Sequence, residues 1–422
     1  MPEFYARAAA TFMLAIALFA ARTAHAGSVT DCGDQQDATT TLRGVVASAP
    51  DGDFIDVSQC STITLLHGAI TTALNLTIQG PADGLTTIDA GTNDRAFVDT
   101  GADSALALNH LLIEHGRAPG LEPNGGCVLA VKQVYIQNSV LSDCAATTND
   151  GLARGGAVNA LNVTLTSSVI VDSLASSANA DAQGGAVYAG SVITCVDSLL
   201  QNNSVLSGKV PVEAFGKGGG MYSNSMSVTR CAIVGNHASH SGGGIFSFGV
   251  FLLDSTVSGN SADYGVGGIA AAAPANSATI SNSTIAFNHG GTCGGLFGAS
   301  GYINSTIIAN NTATTPSGCH DVSAGFGSGT NNIVGVADAG VTLPVDTYVG
   351  DPQLTPLAYH GGLTPVHALL PVSHAVDHGN NAVALDYDQR GSGYPREANG
   401  SADIGAYERQ ALDDEIFYSG ME

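Results

Sequence analysis

Thr256-Val257-Ser258-Gly259-Asn260, Thr284-Ile285-Ala286-Phe287-Asn288 and Thr306-Ile307-Ile308-Ala309-Asn310 are three copies of one short pattern. A small hydroxyl residue or Ala comes first, then an aliphatic anchor, then two further residues, then Asn or Asp. Towards the N-terminus the pattern recurs as Ser139-Val140 to Asp143, Ser168-Val169 to Asp172, Ser198-Leu199 to Asn202 and Ala232-Ile233 to Asn236. The anchors stand 22 to 34 residues apart, and a weaker copy around Leu111 precedes them. Each period also holds a Gly pair: Gly125-Gly126, Gly155-Gly156, Gly184-Gly185, Gly219-Gly220, Gly243-Gly244, Gly267-Gly268 and Gly294-Gly295. Short apolar runs such as Ala157-Val158 and Ile245-Phe246 follow these pairs.

Short runs rich in β-branched residues, bounded by Gly and polar turns and lacking 3.6-residue apolar spacing, are strands. Two such runs per period, repeated along most of the chain, predict an all-β parallel β-helix solenoid with about one coil per repeat. Coils stacked about 4.8 Å apart place equivalent residues above one another. The aliphatic anchors then form an internal ladder, and the Gly pairs serve turns that need positive φ or crowded backbone. The Asn/Asp column would form a ladder of side-chain hydrogen bonds. Such a column could also hold Ca²⁺, but the ladder accounts for its period without a ligand.

With 54 Gly, no Trp and 12% charged residues, the composition resembles neither an ordinary enzyme domain nor a disordered chain. Thirteen Lys and Arg against 36 Asp and Glu give a formal charge of −23. Such a surface repels nucleic acid, so no nucleic-acid partner is expected. A neutral, cationic or Ca²⁺-bridged partner suits it better. Arg7, the apolar run from Ala8 to Ala21 and Ala24-His25-Ala26 read as a cleaved secretory signal, with Gly27 the first mature residue. No later stretch reaches the roughly 20 apolar residues needed to span a bilayer, so no membrane span is expected. The eight cysteines (Cys32, Cys60, Cys127, Cys144, Cys195, Cys231, Cys293 and Cys319) all follow that signal and have no zinc-type spacing. Disulfides are therefore the expectation, with Cys195 and Cys231 a rung-to-rung pair.

The C-terminal part leaves the repeat. It contains Asp351-Pro352-Gln353-Leu354, Leu357-Ala358, Gly361-Gly362-Leu363-Thr364-Pro365, His367-Ala368-Leu369-Leu370-Pro371, Ala375-Val376-Asp377, Asp388-Gln389-Arg390-Gly391, Arg396 and Asp403-Ile404-Gly405-Ala406-Tyr407-Glu408. This resembles the end of bacterial secreted choice-of-anchor Q domain proteins, which carry right-handed parallel β-helix repeats of the pectin-lyase-like superfamily. Thr87-Ile88-Asp89-Ala90-Gly91 and Asn332-Ile333-Val334-Gly335 look similar to the same family, so the resemblance covers nearly the whole mature chain. His374 stands where the family usually has Pro, and His378 where it usually has Ala. The tail Ile416-Phe417-Tyr418-Ser419-Gly420-Met421-Glu422 resembles a short tail on exported proteins of some gammaproteobacteria. The organisation expected is a signal peptide over 1–26, an N-terminal cap and first coils over 27–100, and repeats over 101–335. A C-terminal cap over 336–408 and a tail, read as a sorting signal, over 409–422 complete it.

The resemblance raises the question of polysaccharide cleavage, which the residues must answer. Hydrolysis needs paired carboxylates about the scissile bond, and the clustered Asp motifs of β-helix hydrolases do not occur; the one Asp pair, Asp413-Asp414, lies in the tail. A lyase needs a cation for the uronate carboxylate and a base for the α-proton. Arg154 and Lys217 stand beside the Gly pairs of coils two apart, with Gln183 between them, and in register they fall within about 10 Å on one face. Tyr188, Tyr222 and His237 are the neighbouring candidates for proton transfer. His374, Asp377 and His378 are the candidate metal ligands, although a hydrogen-bonded cap also explains them. No cofactor is expected; Ca²⁺ is the one cation the reading admits. The leading functional expectation is a secreted or cell-surface monomer that binds an extracellular polysaccharide or cell-surface component without catalysis. A polysaccharide lyase or glycoside hydrolase working along the helix is the alternative, and a structural surface protein with no ligand is the third reading.

Overall fold

The computed structural model describes residues 26–36, 38–208, 216–272, 278–298, 300–323 and 325–410. The expected leader, but for its last residue, and all of the tail from 411 lie outside them. The described chain is a parallel β-solenoid of about 10 turns. Every strand pair is parallel, in sheets of 16, 12, 8 and 3 strands. One helix, Leu42–Ser48, starts at Thr41, whose hydroxyl accepts the Gly44 N–H, and lays Leu42, Val45 and Val46 over the first coil. No helix among the described residues is long and apolar enough to cross a membrane.

The 12-stranded sheet carries the repeat's anchors, and its register separates two columns that the sequence pattern merges. Ile113, Leu141, Ile170, Leu200, Ile233, Val257, Ile285 and Ile308 lie in one line. All are 0% exposed, and each such burial contributes about 1.5–3 kcal/mol. Val140, Val169, Leu199 and Ile307 belong to the neighbouring column, on the opposite face, together with Ala232, Thr256 and Thr284. Four of the seven anchors expected inside therefore point outward, because one residue of slip turns a strand's side chains over. The corresponding inner line of the 16-stranded sheet runs through Ile78, Leu108, Ile136, Leu165, Cys195, Val228, Leu252, Ile280 and Ile303.

The same slip splits the polar column. Asp143, Asp172, Asn202 and Asn310 hold left-handed turns, with φ between 46° and 60°. The amide ladder runs one residue later, through Asn203, Asn236, Asn260, Asn288 and Asn311, all buried. Each Oδ1 accepts the backbone N–H of the preceding rung at 2.9–3.0 Å, and Asp321 ends the series by accepting from Asn311. A second ladder, unforeseen in the sequence, lies at the other corner: Ser139, Ser168, Ser255 and Ser283 accept N–H groups of the coil before. The Gly pairs have two separate duties. Gly155 has φ 62°, whereas a Cβ on Gly156 would stand 2.0 Å from the Gly185 carbonyl oxygen.

The C-terminal segment is more than an end cap. Val322 and Phe326 close the core, assisted by Val341 and Leu343. Residues 351–409 then fold back as a strap over the outer face of the 12-stranded sheet. Gln389 accepts from Thr256, His367 meets Ser258 at 2.8 Å, Ala406 donates to Thr284 and Gly405 donates to the Ser305 carbonyl. Ile307, Ala309 and Ile333 are thereby sealed against Val366, Leu369, Ile404 and Tyr407. The strap also follows a corner of left-handed residues, Asp254, Asn282, Ser305 and Asn331. Asn282 and Asn331 donate to the Asn380 and His378 carbonyls, and the Ser305 hydroxyl accepts from Asn380.

All eight cysteines pair: Cys32–Cys60, Cys127–Cys144, Cys195–Cys231 and Cys293–Cys319. The expected Cys195–Cys231 bridge joins consecutive coils. Four disulfides fit an oxidising, extracellular setting.

Candidate functional site

The three-stranded sheet consists of the short strands Ala153–Arg154, Ala182–Gln183 and Gly216–Lys217, which lie just before the Gly turns. In each strand the first residue is buried and the second turns outward. Arg154 pairs with Gln183, and Gln183 with Lys217, so the expected column is in register. Arg154 Nε lies 3.3 Å from Gln183 Oε1. Beyond the Gly turns the chain enters long strands on which Tyr188, Tyr222 and Phe246 are also in register. Their rings stack at 5.3 Å, with planes within 10° for Tyr188–Tyr222 and 1° for Tyr222–Phe246.

The two columns interlock. The Arg154 guanidinium lies over the Tyr188 ring at 5.0 Å, and the Lys217 ammonium over Phe246 at 4.9 Å. A cation over a ring face gains about 0.5–2 kcal/mol, more as water is excluded. Half-burial pulls the Lys217 pKa down, while Asp181 opposes that shift. Burial and then Lys217 depress His240. Burial pushes the Tyr222 phenol up, reinforced by Tyr188. Tyr222 is thus a neutral phenol at ordinary pH, able to donate a hydrogen bond and poorly suited to take a proton.

His237 is not part of this group. It lies on the eight-stranded sheet, with Nδ1 3.0 Å from the Ser261 hydroxyl and Nε2 3.7 Å from Asp263. Sequence reasoning missed Phe246 as the third rung and Asp181 and His240 as the titratable neighbours of Lys217. A signal for the rung exists: Tyr188, Tyr222 and Phe246 each follow the left-handed glycine of their turn, Gly184, Gly218 or Gly242, by four residues.

His374 and His378 stack on each other at 4.6 Å, and Tyr348 stacks on His374 at 4.0 Å. His378 Nδ1 is 2.6 Å from the Val376 carbonyl oxygen, and the Asp377 backbone donates to the Asp403 carboxylate. No three His, Cys, Asp or Glu side chains among the described residues are grouped to hold a metal ion.

A second concentration of charge lies beneath the strap. Asp388 and Arg390 form a buried ion pair at 2.8 Å, and the Arg390 guanidinium lies 4.0 Å from both the Tyr394 and Tyr407 rings. Arg396 donates to the Asp403 and Gly405 carbonyls at 2.7 Å and sits 3.7 Å from Asp254. Burial drives the Asp254 carboxyl well above the usual carboxylate range, with Arg396 drawing it back. Burial and Asp403 push Glu408 up to about 8, against the backbone N–H groups of Asp403 and Ala398 that bond its carboxylate. Asp388, Arg390 and Glu408 hold the strap to itself, and the Arg396–Asp254 pair joins it to the solenoid.

No family model matches the chain, and no curated protein matches it.

Proposed function

We propose that this chain is an exported or cell-surface solenoid, of the choice-of-anchor Q type, that binds an extracellular polysaccharide without cleaving it. The face that engages the polymer carries Arg154, Gln183 and Lys217 beside Tyr188, Tyr222 and Phe246. The in-register run of cation, amide and cation along a stacked aromatic ladder is the observation that supports this reading. A repeating ligand laid along the axis meets a stacked ladder whose outward rims give apolar contact area, with an amide, phenols and two cations for its hydroxyls. Two cations held over rings make a local basic strip on a chain of charge −23.

The test is binding of the purified protein to a panel of immobilised polysaccharides, with and without Ca²⁺, comparing the native chain with the Arg154→Ala/Lys217→Ala variant. The reading expects at least a tenfold loss of affinity in the variant. Equal binding by the two proteins removes this face from the function, and binding to no polymer favours a purely structural surface role. The pKa of Lys217, lowered by burial on the coil two beyond Arg154, favours a second reading, a polysaccharide lyase. Release of unsaturated sugar ends from any panel member, lost in the same variant, would replace binding with that activity.

A further inference from the structure

A cleft of about 470 Å³ opens between the strap and the solenoid, just past the far ends of the long strands Val187–Val196 and Met221–Thr229, whose near ends carry Tyr188 and Tyr222 of the aromatic ladder. Its volume falls within the roughly 300–1,000 Å³ of small-ligand sites. The solenoid supplies Asp197 and Arg230, neighbouring rungs of the left-handed corner. The strap supplies residues 361–364, Tyr387 and residues 389–392, so Gly361-Gly362-Leu363-Thr364 and Gln389-Arg390-Gly391, two stretches of the C-terminal signature, meet in its wall. The ladder reading leaves this convergence unused.

We infer that this cleft is a binding subsite for a single neutral pyranose. Arg230 directs Nε and Nη2 at the two oxygens of Asp197, at 2.6 and 2.9 Å, and Nη1 makes no hydrogen bond to the described protein. The pair is about a quarter exposed on each side, so it offers adjoining acceptor and donor edges. Neighbouring sugar hydroxyls match such an edge, one donating to Asp197 and the next accepting from Arg230. The pair is neutral as a unit, with Asp197 turning away anions and Arg230 turning away cations. Tyr387, 43% exposed, and Leu363, 66% exposed, supply apolar surface for a pyranose C–H face. The exposed Ser392 adds a hydroxyl. Neither Tyr387 nor Ser392 hydrogen-bonds through its side chain within the described protein, so both are spare for a ligand.

Saturation-transfer NMR and calorimetry on the full chain, with glucose, galactose, mannose, N-acetylglucosamine and glucuronate as probes, decide the matter. At least one neutral hexose is expected to bind at about millimolar strength, with little change between low and 0.5 M salt. Tyr387→Ala and Ser392→Ala each weaken it, the former at least tenfold. Because neither side chain is hydrogen-bonded within the described protein, the urea midpoint should be unchanged in Ser392→Ala and should move little in Tyr387→Ala, which loses only the packing of a half-exposed ring. Arg154→Ala/Lys217→Ala leaves hexose binding intact, which separates this site from the polymer face: either can fail alone. Absence of binding by every neutral hexose, binding of glucuronate only, or hexose binding indifferent to both substitutions overturns the assignment.

Discussion

Asn260→Ala tests the register of the solenoid at a point where structure and raw sequence pattern differ. The Asn260 Oδ1 accepts from the Asn236 backbone N–H at 2.9 Å and from Asn236 Nδ2 at 3.0 Å. Its Nδ2 donates to the Ile233 carbonyl and to Asn288 Oδ1, both at 2.9 Å. Truncation leaves the Asn236 N–H, on a residue of 0% exposure, without its acceptor. A stranded buried amide costs about 1–3 kcal/mol and each further lost bond about 1 kcal/mol. The expected loss is therefore about 4–6 kcal/mol, read as a lower urea midpoint at unchanged slope. Asn310→Gly is the paired control. The pattern puts Asn310 in the same column as Asn260, but it holds an exposed left-handed turn with φ 60°. Glycine adopts that turn freely, so the variant should stay within about 1 kcal/mol of the native chain. If Asn260→Ala cost less than Asn310→Gly, the ladder would run through the wrong residues and the register argument would fail.

Leu200→Ala should cost about 2–5 kcal/mol by opening a cavity, whereas Val169→Ala, outside the region the strap covers most closely, should cost under about 1 kcal/mol; urea melts compare the two. Removing Cys195–Cys231, which closes a 36-residue separation, should lower stability by about 3–4 kcal/mol, and reductant should then have less effect on the variant's melting temperature than on the native one. Glu408, pushed up from an ordinary 4.5 to about 8, keeps its proton in the folded state where the unfolded chain has lost it. Stability should thus fall as pH rises from about 4.5 towards 8. Glu408→Gln should flatten that slope in thermal melts and in limited proteolysis of the strap; an unchanged slope would assign the effect elsewhere.

The solenoid was legible because its physical demands recur in every coil: two short strands, a glycine turn, a buried polar rung. The register was less so, and the strap explains why. A half-exposed strand alternates apolar and polar residues, which marks its inner face. Beneath the strap both faces are buried, so Leu199-Leu200 and Ile307-Ile308 are apolar throughout and the marker vanishes. An alignment anchored on the first aliphatic residue takes Ile307 where the core takes Ile308. The Asn column slips at two coils, where the left-handed turn residue is itself an Asn before a ladder Asn, as in Asn202-Asn203 and Asn310-Asn311; where Gly235, Gly259 or Phe287 holds the turn, the pattern falls on the ladder residue itself.

The Arg154–Gln183–Lys217 column was readable for the converse reason. Each of its members lies one residue before the left-handed glycine of its turn, a landmark unaffected by what covers the other sheet. The aromatic ladder uses that same landmark at a longer offset, yet it passes from Tyr to Phe at its third rung, so a search for titratable residues stops one coil early. Stacking depends on ring shape, not on the phenol, which places Phe246 with the two tyrosines. The strap meanwhile occupies the outer face of the 12-stranded sheet, pairs Arg390 with its own Asp388 and sets Arg396 beside Asp254 of the solenoid. The charged ends of Arg154 and Lys217 lie instead over ring faces, with Asp181 beside Lys217. On the proposed polymer face it is the fixed placement of the two cations along the aromatic ladder, not the abundance of charge, that would select a ligand.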